Sequence, residues 1–244
     1  MHNTVVICPV YNESSSLEQF LDRLAACCDA DLCFVDDGST DRSTAVIRDR
    51  AGVLAERVEL LSHGTRKGYG AALMTGFQFA LREGYARIIT LDADLQHRPE
   101  DIDRFKGELD SCDVALGSRY LLPVGLSRVP HSRYLINRYI AGMLERYCSV
   151  RFSDPFCGFR AYRSTLLEGV ALRERSYGIC LEMLMEILRL GAIFHELPIE
   201  MIYHDPARNF LDGLDNPKKR LDYYRGIIRN RIACARIEGV SVHR

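Results

Sequence analysis

Short apolar runs alternate with longer amphipathic stretches through the first half of the chain. Val5-Val6-Ile7-Cys8, Leu32-Cys33-Phe34-Val35, Val58-Glu59-Leu60-Leu61, Ile88-Ile89-Thr90-Leu91 and Val114-Ala115-Leu116-Gly117-Ser118 have the length and side chains of strands. A polar break follows each run. Ser14, Ser15 or Ser16 is placed to cap a helix reaching about Cys28, and Thr40 or Asp41 to cap one reaching about Ala55. The Gly-rich stretch His63 to Gly70 leads into an apolar helix ending near Glu83, and Pro99 opens a helix from Glu100 to Leu109. Strands and helices alternating at this spacing predict βαβ units and a mostly parallel sheet.

The pattern changes in the second half. His131 to Ser149 reads as a helix with Ile136, Ile140, Met143 and Tyr147 on one face and Arg138, Glu145 and Arg146 largely opposite. This basic amphipathic character suits either packing on the sheet or docking at an anionic membrane surface. A loop, Asp154 to Arg160, enters a further extended piece. Tyr177 to Leu190 reads as a helix, Ile193 to Tyr203 as a strand, and Pro217 to Ile237 as an Arg-rich last helix. No clean linker separates the halves. One domain, 1–244, is expected, with a modified C-terminal third.

In an open α/β sheet, ligands bind beyond the carboxyl ends of the strands. The fourth strand ends in Asp92-Ala93-Asp94-Leu95-Gln96-His97. Alternate residues of an extended segment share a face, so Asp92 and Asp94 can point the same way. Two carboxylates that close repel, and a divalent cation removes the penalty. Oxygen ligands of this kind suit Mg²⁺ or Mn²⁺, with Gln96 as a third ligand. Tyr11/Glu13, Asp36/Asp37, Arg66/Lys67 and Arg119 follow the other strands. An aromatic, carboxylates, cations and a metal pair on one edge describe a nucleotide-diphosphate site, with Lys67 expected near the diphosphate. His97 is either a support for the metal site or a surface residue. The Gly-rich stretch is neither a Walker loop nor a Gly-x-Gly-x-x-Gly dinucleotide loop, which argues against an ATPase and an NAD enzyme.

Composition narrows the partners. The net charge of −1 gives no electrostatic argument for nucleic acid. The nine Cys are odd in number, lie mostly in apolar segments and form no Cys-x-x-Cys, so they read as reduced thiols of a cytoplasmic protein. With no apolar run of the roughly 20 residues a membrane span needs, and a strand directly at the start, the protein is expected to lack a leader and to meet a membrane only peripherally.

Pro9-Val10-Tyr11-Asn12-Glu13, Val35-Asp36-Asp37-Gly38-Ser39-Thr40-Asp41, Asp92-Ala93-Asp94-Leu95-Gln96-His97, Gly117-Ser118-Arg119 and Gly158-Phe159-Arg160 together resemble the motif series of family-2 glycosyltransferases with the GT-A fold. The nearest resemblance is to the polyprenyl- or dolichyl-phosphate mannose or glucose synthase branch. It covers about residues 4 to 203. It implies that Pro9, Tyr11, Glu13, Val35 and Asp37 hold the nucleotide of a GDP- or UDP-linked sugar. It implies that Asp92, Asp94 and Gln96 hold metal and diphosphate, and that Arg119 and Arg133 lie near the acceptor or its phosphate. Arg208 fits the start of the branch's Arg-x-x-Gly-x-Ser-Lys motif, but Ser-Lys is missing and Gly213 and Lys218-Lys219-Arg220 lie farther along.

The resulting expectation is an inverting, metal-dependent sugar transfer in which Asp94 and Arg119 are central. A lipid-phosphate acceptor is already anionic and needs no base. A saccharide hydroxyl would need a carboxylate, Glu182 or Asp154, to take its proton. The alternatives are a nucleotidyltransferase, which would show a Gly-rich loop after the first strand instead of Tyr11-Asn12-Glu13, and a catalytically silent nucleotide-sugar-binding subunit.

Overall fold

A computed structural model describes residues 3–52, 54, 58–121, 129–200, 202 and 213–237, the last five by backbone alone. In chain order the elements are β1 (Thr4–Val10), α1 (Ser14–Cys27), β2 (Asp31–Asp36), α2 (Ser43–Ala51), β3 (Val58–Ser62), α3 (Tyr69–Arg82), β4 (Arg87–Thr90), α4 (Ile102–Glu108), β5 (Val114–Ser118), α5 (His131–Cys148), β6 (Arg160–Arg163), α6 (Ser164–Leu167), α7 (Ile179–Arg189), β7 (Phe194–Pro198) and α8 (Pro217–Ile237). The strands form one sheet in the order β3-β2-β1-β4-β6-β5-β7. All pairings are parallel except those of β6, which runs against both β4 and β5.

Both faces of this sheet are covered, which is why its central strands are apolar at consecutive positions. All seven residues of β1 are buried. Val5 and Ile7 join a core with α3, α5, α7 and α8, while Val6, Cys8 and Val10 join the opposite core with α1, α2 and α4. The described cysteines are free thiols, most of them buried.

Helix ends and the last strand differ from the sequence-based expectation. No serine side chain caps α1; Glu13 occupies the cap position. The Ser14 N–H donates instead to Asp41 Oδ2 at 3.0 Å, and the Glu13 N–H to Ser43 Oγ at 2.8 Å, so the neighbouring α2 turn supplies the cap. That cross-bracing joins the loops after β1 and β2. β7 stops at Pro198; Tyr203, its expected end, lies outside the described residues.

The antiparallel strand matters most for the site. Thr90, the last residue of β4, pairs with Arg160, the first of β6. A strand inserted in the reverse sense brings its entry loop to the edge where its neighbours end. The loop Asp154 to Phe159 therefore joins Asp92 and Arg119 there.

Candidate active site

The carboxyl edge opens into a cavity of about 520 Å³. Of the nucleotide-side expectations, Pro9, Tyr11, Glu13, Asp37, Asp92, Asp94 and Gln96 line it. Val35 does not; its side chain is fully buried among the residues packed on α3 and α7. Lys67 is not brought to the cavity either. Its neighbour Arg66 is, with its guanidinium 5.1 Å from the Tyr11 ring centre.

Asp37 is buried and acts through the backbone. Its Oδ1 accepts the Lys67 N–H and its Oδ2 the Gly68 N–H, each at 2.8 Å. His63 Nδ1 stands 2.8 Å from Oδ1. Because a carboxylate only accepts, Nδ1 carries a proton, and Nε2 lies 2.9 Å from Thr75 Oγ1. Asp37 thus fastens the Gly-rich stretch. Gly68 has φ +108° and lies so close to the Arg175 carbonyl that no side chain fits.

Asp92 and Asp94 stand together at the end of β4. Tyr69 Oη donates to Asp92 Oδ1 at 2.9 Å. Burial, and then the charge of Asp92, push that phenol well above its usual range, so it stays a donor. Asp94 Oδ1 accepts the Gln96 N–H at 3.0 Å, shaping a turn that passes through a left-handed residue, Leu95. Among the described residues no three His, Cys, Asp or Glu groups cluster closely enough to hold an ion alone. Buried His97 Nδ1 lacks a hydrogen-bond partner 3.9 Å from Asp92 Oδ2. Two carboxylates, an amide and a buried nitrogen suited to a water fit Mg²⁺ or Mn²⁺, ions that keep waters and share phosphate oxygens. They do not fit a structural zinc site.

Arginines occupy another part of the wall. Arg119 grips Asp154 with two prongs, Nε to Oδ2 at 2.6 Å and Nη2 to Oδ1 at 2.9 Å. Asn137 Nδ2 adds 2.8 Å to Oδ1. Burial opposes ionisation of Asp154, yet Arg119's charge and hydrogen bonds hold its carboxyl below the usual range. Arg133 on α5 and Arg220 on α8 line the same cavity. Burial draws the Arg220 guanidinium below its ordinary value and Arg133's charge adds to this, against the opposing effect of Tyr224. Arg220 comes from the Lys218-Lys219-Arg220 cluster; nothing in its sequence spacing placed it beside Arg133. Tyr69, Phe156, Tyr177 and Tyr224 also line the cavity and were not anticipated. The Gly-Tyr-Gly at 68–70 was the available signal for Tyr69.

Glu182 is a correction. It does not line the cavity. It is 4% exposed, its Oε2 accepts the Arg173 and Glu174 N–H groups at 2.8 and 2.7 Å, and its Oε1 pairs with Arg231 of α8. A carboxylate so committed ties α7 to α8. Arg208 lies outside the described residues.

Residues 5–170 match the model of the family described as Glycosyl transferase family 2. The polyprenol monophosphomannose synthase of Mycolicibacterium smegmatis is 30% identical over 243 residues, covering 93% of this chain and 91% of that protein. The undecaprenyl-phosphate mannosyltransferase of Micrococcus luteus is 30% identical over 214 residues, covering 86% of this chain and 87% of that protein. Among solved structures, glucosyl-3-phosphoglycerate synthase from Mycobacterium tuberculosis with Mn²⁺, UDP and glucosyl-3-phosphoglycerate superposes with TM-score 0.67 at 17% identity, covering 94% of this chain and 80% of that one. The same enzyme has been solved with Mg²⁺ and UDP.

Proposed function

The chain belongs to glycosyl transferase family 2 and has the GT-A fold, and from that premise we propose that it transfers a sugar from a GDP- or UDP-linked donor to a polyprenyl phosphate, with inversion. The observation that carries this reading is the joint lining of one cavity by Asp92 and Asp94 and by Arg119, Arg133 and Arg220. The carboxylates suit a cation and a diphosphate; the arginines suit a second phosphate, whose oxygens match their forked donors. The polyprenol monophosphomannose synthase and the undecaprenyl-phosphate mannosyltransferase named above support a lipid-phosphate acceptor.

In this reading Tyr11 and Arg66 flank the nucleotide, and the Asp37-fastened loop shapes its pocket. Asp92, Asp94 and Gln96 would hold Mg²⁺ or Mn²⁺, which when bound offsets charge developing on the leaving diphosphate. Arg119, fixed by Asp154, and Arg133 with Arg220 orient the acceptor phosphate, whose oxygen attacks the anomeric carbon as the bond to the diphosphate breaks. The nucleophile is already anionic, so no proton is removed. Both carboxylates considered as bases, Glu182 and Asp154, are buried and paired with arginines. Residues 1–120 then form the donor part, apart from Arg119 at its boundary, and 121–244 the acceptor part.

Among the described residues no helix is long and apolar enough to cross a membrane. α5 carries Arg133 inward and exposes Leu135 and Tyr139, 51% and 47% accessible, beside exposed Arg138. That face is proposed as the peripheral contact through which a lipid phosphate arrives.

Transfer of radiolabelled sugar from GDP-mannose and UDP-glucose to short-chain polyprenyl phosphates and to 3-phosphoglycerate tests the reading. Labelled polyprenyl product, lost in Arg133→Ala and Arg220→Ala, is expected. Transfer to the soluble phosphate alone would overturn the lipid assignment.

A further inference from the structure

Tyr69 opens α3 directly after Gly68, whose approach to the Arg175 carbonyl fixes where the helix begins. Its ring stacks on Tyr177, with centres 5.7 Å apart and planes 16° from parallel. Tyr177 itself lines the cavity. The stack sets the ring, and the ring sets the hydroxyl, which reaches Asp92 Oδ1. Gly158 closes the other side. A Cβ added there would stand 2.7 Å from Tyr69 Oη and 2.8 Å from Asp92 Oδ2. Gly158 is held in turn by Thr90, whose Oγ1 donates to its carbonyl at 2.7 Å. The Asp92 carboxylate is therefore confined by a phenol from α3 and by bare backbone from the loop before β6.

We propose that Tyr69 is a positioning residue for the divalent cation: its hydroxyl holds the Asp92 carboxylate in the orientation the ion requires. The inference rests on the metal reading of Asp92 and Asp94 given above. A carboxylate on a single bond can rotate, and a ligand that must be frozen on binding weakens affinity. A hydrogen bond already made removes that freedom in advance, as supporting partners of metal ligands do. Gly158 contributes by omission, since any side chain there would displace the phenol or the carboxylate.

The test is calorimetric titration of Mn²⁺ into the full chain, alone and with saturating GDP or UDP. Tyr69→Phe keeps the ring, the stack on Tyr177 and the packing while deleting the donor. Its Kd for Mn²⁺ is expected to rise about 10–100-fold, the range for lost supporting hydrogen bonds. Nucleotide affinity after chelation should stay at the wild-type value, a result that a merely unfolded or loosened variant would not give. Gly158→Ala, which crowds both the phenol and the carboxylate, should weaken Mn²⁺ in the same direction; if Tyr69→Phe melts early, its titration is run below its melting temperature. Wild-type affinity in Tyr69→Phe would overturn the proposal while leaving the metal site intact. Absence of Mn²⁺ binding by the wild-type protein, with or without nucleotide, would overturn the metal reading and this inference with it.

Discussion

The two walls of the cavity are built differently. The proposed donor wall comes from strands adjacent in the sheet, β2, β1 and β4; its Asp37 and Asp94 carboxylates are fastened by backbone groups, and Asp92 takes the Tyr69 hydroxyl. Asp37 takes two N–H groups of the Gly-rich stretch, and Asp94 takes the N–H of Gln96. The proposed acceptor wall is assembled from remote pieces: Arg119 after β5, Arg133 on α5 and Arg220 on α8. A buried pair with Asp154 holds Arg119 directly, and the Arg231–Glu182 pair ties α8 to α7 behind it. Loss of one member of a buried ion pair strands a charge, which loss of a carboxylate held by N–H groups does not.

The largest effect that separates the walls is expected from Arg119→Ala. It leaves the Asp154 carboxylate buried without its counter-charge, which costs about 3–5 kcal/mol of stability. Thermal or denaturant unfolding checks this. Asp154 has its carboxyl depressed in the folded state, so the pair's stabilisation is present above the unfolded carboxylate pKa of about 3.9 and fades as pH falls from there through the lower folded value. The acid limb of the wild-type stability curve should therefore be steeper than that of Asp154→Asn. Equal limbs would show that the pair contributes little.

Next in size is Asp94→Asn on the donor wall. Turnover should fall by about 10²-fold or more, since a cation's stabilisation of leaving-group charge is worth several kcal/mol. Melting temperature should hardly move, the reverse of the Arg119 variant. Single-turnover rates at saturating donor measure the first and calorimetry the second.

Asp37→Ala should show an intermediate effect. Two backbone N–H groups and His63 lose their acceptor, at about 1–3 kcal/mol, and the loosened loop raises the donor KM more than it lowers kcat. A fall in kcat at constant KM would place Asp37 nearer the reacting carbon than the geometry does.

The smallest effect on chemistry is expected from Glu182→Gln. A lost general base would slow turnover roughly 10²–10⁴-fold. The tie between α7 and α8 predicts near-normal turnover with lowered stability. A large rate loss with an unchanged melting temperature would make Glu182 a base after all.

Much of the architecture was legible in the amino acids. The five runs named from their apolar pattern are all strands, and the helices of the first half follow them in the expected order, though not on the expected serine, threonine or aspartate caps. Periodicity is local, so a short window carries it. β6 was visible only as an extended piece, because Arg-Ala-Tyr-Arg carries no signal of its direction or its neighbours. Val35 was misread for a related reason. It adjoins the acidic loop in sequence, but alternation along β2 turns its side chain into the core.

By itself the sequence determined the mostly parallel sheet and the placing of the Asp92/Asp94 pair at its carboxyl edge, because a strand's polar exit lies within a few residues of the strand that aims it. The tertiary structure alone decided which arginines meet, which glutamate is spent on a helix contact and which tyrosine holds Asp92. Those outcomes depend on distances between segments tens of residues apart. They are set by how α5, α7 and α8 pack on one face of the sheet and by the reversed strand that delivers Gly158, and no local pattern encodes either.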